Sequence, residues 1–158
     1  MPYTLPEGVY RLSATTSFIA LLGWGLGSYS FDRYKAPERE PAQLILPDDT
    51  DAAELVNTVA ATYLTRDLIN TPAQDMAPSH LQAEVEALGA AFNADVSTVM
   101  GDALLDLECG AIHAVGRAAD DPPRLMDLTW GNADDPKVTI VGKGVTFDSG
   151  GLNLKPAG

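Results

Sequence analysis

The sequence predicts an α/β fold with helices flanking a central sheet, and three observations predict it. Two stretches, residues 55–70 and 78–89, keep apolar residues at helical spacing. Short runs of strand-forming residues lie before, between and after them. The two periods alternate along the chain, the pattern of layered sheets rather than of a bundle.

Element by element, Ser17 to Gly27 is an apolar stretch broken by Gly23, Gly25 and Gly27, expected to be a partly buried helix leading into Tyr29–Lys35. Lys35-Ala36-Pro37-Glu38-Arg39-Glu40-Pro41 reads as a linker, which divides the chain into residues 1–40 and 41–158. Gln43–Leu46 is a short strand candidate. Asp48, Asp49 and Asp51 offer N-caps and negative charge for a helix in which Leu55, Val59, Thr62, Tyr63, Arg66 and Ile69 keep period, and Pro72 stops it. Pro78-Ser79-His80-Leu81 opens a second helix, with Leu81, Val85 and Leu88 on one face and Gly89 as its expected end. A strand at Asp95–Val99, a helical stretch up to Leu107 and a small-residue stretch Gly110–Gly116 follow. The last two strand candidates are Arg124–Trp130 and Lys137–Val141, separated by the turn-rich Gly131–Pro136. Val138-Thr139-Ile140-Val141 is β-branched throughout, as in a strand buried on both faces, and open α/β sheets place ligands at the carboxyl ends of such strands.

Of the 158 residues, 46% are hydrophobic and 20% charged, a globular balance. Ten Lys and Arg against 22 Asp and Glu give a net charge of -12, which repels phosphate backbones and makes nucleic acid a poor partner. Cys109 is the single cysteine, so no internal disulfide calls for an oxidising compartment, and a cytoplasmic location is expected. The 17–27 stretch is too short for a membrane span and lacks a basic start, so neither a signal peptide nor a membrane partner is expected.

The chemistry concentrates after Val141, in Gly142-Lys143-Gly144-Val145-Thr146-Phe147-Asp148-Ser149-Gly150-Gly151-Leu152-Asn153-Leu154-Lys155-Pro156. Glycines on both sides of Lys143 and after Ser149 let the backbone approach a ligand closely, and two lysines bracket one aspartate. A phosphate-binding P-loop fails at Lys137 and Gly144, a dinucleotide fingerprint fails at Phe147, and a nucleophile elbow around Ser149 fails at the same Phe147. Ser149 then reads as a turn residue.

Val141 to Gly151, followed by Lys155-Pro156, resembles the signature opening of the leucyl aminopeptidase (cytosol aminopeptidase, M17) family. Thr65-Arg66-Asp67-Leu68-Ile69-Asn70-Thr71-Pro72-Ala73 resembles the family's Arg-Asp-Leu-x-Asn-Thr-Pro segment, and Tyr29–Lys35 resembles its interdomain helix. Gly110–Arg117 and Pro123–Leu128 fit as well. The resemblance implies a mixed-sheet aminopeptidase catalytic domain, of which residues 41–158 are the first part and 1–40 the tail of an N-terminal region with its linker.

It also implies roles. Lys143 would be a ligand of one metal, Asp148 would bridge two divalent ions, zinc or manganese, and Lys155 would be the catalytic lysine at the scissile carbonyl. The implied activity is release of N-terminal amino acids, leucine-type, from a peptide substrate by metal-activated water. An amine ligates only as the neutral base, which two adjacent dications favour, whereas a cationic lysine stabilises a developing oxyanion. The family completes its site with a further Asp, an Asp and a Glu close together, and an Arg, all downstream of the equivalent of Gly158, so this chain is expected to carry only part of the site. A homo-oligomer, a hexamer in this family, is implied for the full-length protein. The alternative function is a catalytically inactive fragment or pseudo-enzyme serving as an interaction module. Nucleic-acid binding, which some members of the family show, ranks last on charge.

The other conspicuous residues read as structural. Cys109 and His113 stand four apart, a ligand spacing, but two ligands are too few. His80 is expected to be exposed, Asp48-Asp49 and Asp134-Asp135 to serve caps and turns, and Trp24 and Trp130 to pack.

Overall fold

A computed structural model describes residues 2–12 and 16–146. The α/β class is present, with helices and small sheets in two compact units, Met1–Asn70 and Thr71–Gly158.

In the first unit, β1 (Val9–Arg11) and β2 (Gln43–Ile45) pair in parallel, Tyr10 opposite Leu44. Parallel strands need a crossover, and α1 (Phe18–Gly27) lies within it. Ser17 caps α1, its side chain accepting from the Ala20 N–H. The glycines of this apolar stretch have a packing reason at Gly25, where a Cβ would come within 2.6 Å of Val59 Cγ2 on α2 (Ala52–Asn70). Asp51 Oδ1 accepts from the Glu54 N–H at 3.0 Å and starts α2 as the aspartates predicted. Leu21, Ala42 and Leu55 are buried. Residues 29–35 are not helical, against the expectation for Tyr29–Lys35. The Ser28 hydroxyl bonds back to the Trp24 carbonyl, its N–H closes on Gly25 and Trp24, and α1 ends there.

In the second unit, α3 (Pro78–Phe92) starts with proline in its first turn, and His80 Nδ1 accepts from the Ala77 N–H at 3.0 Å. The helix does not close at Gly89. It runs one turn further to Asn93, which takes the left-handed conformation at φ 57° while the Ala94 N–H returns to the Gly89 carbonyl. Gly89 is a contact glycine instead, since a Cβ there would stand 2.4 Å from Val96 Cγ2 on β3 (Asp95–Met100). β3 pairs antiparallel with β4 (Arg124–Thr129), from Asp95 opposite Thr129 to Met100 opposite Arg124. Between them run α4 (Ala103–Asp106) and α5 (Gly110–Gly116), and Leu104 is completely buried.

Among the described residues the strands form two separate two-stranded ladders. The strand expected at Lys137–Val141 is not formed there: Val138, Ile140 and Val141 are 84%, 91% and 91% exposed. A β-branched run has the propensity for a strand, but ladder bonds and burial come from neighbours, and none of the described strands is adjacent.

Candidate functional site

Of the glycine-rich segment, Gly142 to Thr146 are described and run without regular structure, Lys143 exposed. Asp148 and Lys155 lie outside the described residues. The segment approaches the first turn of α3: a Cβ on Gly144 would meet Leu81 Cδ2 at 2.8 Å, so glycine lets the chain beside Lys143 lie against that helix. No carboxylate among the described residues is within ion-pair distance of Lys143. No group of three His, Cys, Asp or Glu able to hold a metal occurs among them either. The donors that the sequence supplies, an amine at Lys143 and a carboxylate at Asp148, suit a divalent ion in kind, but each ion takes at least four ligands.

The other candidates are spent on structure. His113 Nε2 meets Asp102 Oδ1 at 3.0 Å, and Cys109, at the start of α5, directs its thiol to the Leu107 carbonyl at 3.5 Å. His80 is exposed and engaged in capping. Asp135 closes a turn with Asn132 through its N–H and its carboxylate, both at 3.1 Å. Trp24 packs on Tyr10 and donates to the Ala42 carbonyl, whereas Trp130, also expected to pack, is 70% exposed and is held by one hydrogen bond to the Phe92 carbonyl. A shallow depression along α2, lined by Asn57, Thr58, Ala61, Thr62 and Thr65, holds no reactive group. The hydroxyls of Thr58, Thr62 and Thr65 bond the carbonyls four residues back.

One polar cluster escaped the sequence reading. Arg124, only 7% exposed, bonds Asp121, Gln82 and the Pro122 carbonyl, while Asp121 Oδ2 accepts from the Ser79 N–H at 2.7 Å. Burial works against the Asp121 carboxylate, but the Ser79 hydrogen bonds and the Arg124 and His80 charges outweigh it and hold its pKa below the ordinary value. The cluster ties the start of α3 to the start of β4. Asp121 and Arg124 are a local pair, but their partners Ser79 and Gln82 lie 42 residues away from them, and no local pattern could have joined the two halves.

Comparison with known proteins gives a consistent result. The catalytic domain of the cytosol aminopeptidase family matches residues 63–158, and the M17 aminopeptidase N-terminal domain matches residues 1–47. The "probable cytosol aminopeptidase" of Halorhodospira halophila is 38% identical over 173 residues, covering 99% of this chain and 34% of that protein. That of Geotalea uraniireducens is 32% identical over 176 residues, covering 96% and 36%. Among solved structures, the cytosol aminopeptidase of Coxiella burnetii superposes with a TM-score of 0.85 at 41% identity, over 93% of this chain and 33% of that one. The bottromycin maturation enzyme BotP, solved in complex with Mn, gives 0.74 at 35% identity, over 94% and 34%. The chain thus spans about a third of the length of the relatives it matches. With the catalytic-domain match alone covering more than half of its residues, the chain belongs to the cytosol aminopeptidase (M17) family.

Proposed function

We propose that the full-length protein is a metal-dependent aminopeptidase that releases N-terminal amino acids, leucine-type, from peptides in the cytoplasm, acting as a homo-oligomer. The observation that carries this reading is the run Val141–Gly151 with Lys155-Pro156, in a chain 41% identical to a cytosol aminopeptidase of the same fold. Lys143 and Asp148 would contribute to holding two divalent ions, zinc or manganese, and the Mn complex of BotP supports a divalent metal. When bound, the ions would activate water and anchor the substrate's free amine.

The chain's own residues do the rest. Gly142 and Gly144 let the backbone run close to the ligand, and the neutral amine of Lys143 is the form that donates its lone pair. Lys155 stays cationic, polarises the scissile carbonyl and stabilises the negative charge that develops on its oxygen. The test is hydrolysis of aminoacyl-anilides by the full-length protein before and after exhaustive chelation, with Zn²⁺ or Mn²⁺ added back. Full activity after metal removal refutes the reading.

A further inference from the structure

The Thr65–Ala73 segment was singled out by its resemblance. Thr65 bonds the Ala61 carbonyl of its own helix, while Arg66, Asp67 and Asn70 engage the chain that leaves α1. The Tyr29 hydroxyl donates to Asp67 Oδ1 at 2.7 Å and accepts from Asn70 Nδ2 at 2.9 Å. The Arg66 guanidinium lies 5.2 Å from the Tyr29 ring centroid, and its Nη1 donates to the Leu26 carbonyl at 2.8 Å. Tyr63 stands edge-on to Tyr29 at 5.1 Å and donates to the Gly25 carbonyl. α1 has no basic residue in its last turn, so the carbonyls at its C-terminus take their donor and their positive charge from α2.

Beyond Tyr29 the chain runs without helix or strand through residue 42, with Arg33 and Lys35 exposed. Arg39 ties the far part of this connector to the Leu5 carbonyl. At the near end both hydrogen bonds depend on one phenol oxygen, and their partners Asp67 and Asn70 are exposed. Such a contact is strong enough to hold a strand of chain and exposed enough to open without unfolding the helix behind it.

We propose that Tyr29 with Arg66, Asp67 and Asn70 is a releasable latch: closed, it fixes the 29–41 connector to the last turns of α2, and open, it frees that connector for motion. This gives the Arg-Asp-Leu-x-Asn pattern a conformational role, independent of the aminopeptidase reading.

Limited trypsin digestion of the native chain, read by mass spectrometry, tests it. Cleavage after Arg33 and Lys35 reports the connector, and cleavage after Arg11 in β1 reports general opening of the same unit. Asp67→Ala, which removes one of the two hydrogen bonds, should raise connector cleavage roughly fivefold relative to Arg11, and Tyr29→Phe, which removes both, should raise it at least as much. The double variant should add little, and Asp67→Asn, which keeps an acceptor oxygen, should stay near the parent. An unchanged ratio in both single variants, or Asp67→Asn cleaved as fast as Asp67→Ala, overturns the latch. Hydrogen exchange in the unsubstituted chain decides without a variant: slowed exchange at amides 29–35 supports the latch, and exchange at free-peptide rates refutes it.

Discussion

Replacing Gly89 by alanine should destabilise the second unit, although alanine is the better helix former. The added Cβ would sit 2.4 Å from Val96 Cγ2 and 3.5 Å from the Ala94 carbonyl oxygen, so the first contact is more than an ångström too short. Val96 lies within the β3–β4 ladder opposite Leu128, and its branched side chain has few rotamers into which to retreat. The helix or the strand must shift, which costs about 1–3 kcal/mol for overpacking. Glycine to alanine inside a helix returns roughly 1 kcal/mol. The net expectation is a loss of about 0–2 kcal/mol, centred near 1 kcal/mol, or on the order of 4–8 °C in Tm at the centre for a cooperative unit of this size. Thermal unfolding followed by circular dichroism measures it, and Val96→Ala supplies the control. In the Gly89→Ala background, Val96→Ala should cost less than it does alone, because it opens the space that the new methyl needs. A rise in Tm for Gly89→Ala, or strict additivity of the two changes, would show that Gly89 is not held by contact with the strand.

The remaining expectations concern chemistry and pH. In the full-length protein, Lys155→Ala should lower kcat strongly with little change in KM, because the charge it stabilises exists only in the transition state; a raised KM with unchanged kcat removes Lys155 from that role. The 158-residue chain by itself should bind Zn²⁺ or Mn²⁺ weakly and be inactive, since Lys143 and Asp148 supply one amine and one carboxylate; calorimetric detection of two tight sites per chain contradicts this. Asp121 has a folded pKa below its unfolded value of 3.8, so its contribution is present above about pH 4 and is lost as pH falls through the folded pKa. Asp121→Asn should therefore lower stability at neutral pH by about 1 kcal/mol or less, because the pair with Arg124 is partly exposed and asparagine keeps an acceptor for the Ser79 N–H, and should flatten the loss of stability on acidification, in urea titrations at pH 3 and pH 7. Equal acid sensitivity of the two proteins would exclude Asp121 as its source.

Much was legible in the sequence because its signals are local. Asp51 caps the helix it precedes, Pro72 and Pro78 bracket the break between α2 and α3, and the strand-forming runs expected at Asp95–Val99 and Arg124–Trp130 pair as β3 and β4. Lys143, Asp148 and Lys155 likewise fall within one short stretch, and the resemblance of that stretch to the family's is what carries the roles proposed for them. Tertiary structure decided what depends on a neighbour. Gly89 signals a helix end by composition, but Val96 across the helix–strand contact makes it an interior residue with no room for a side chain. Tyr29–Lys35 resembled a helix, but the Ser28 cap and the hold of Asp67 and Asn70 on Tyr29 take the chain out of helical geometry. Val138–Val141 has strand propensity in every residue, yet propensity supplies neither the hydrogen-bond partners nor the burial that make a strand, and those come only from another segment of chain laid alongside.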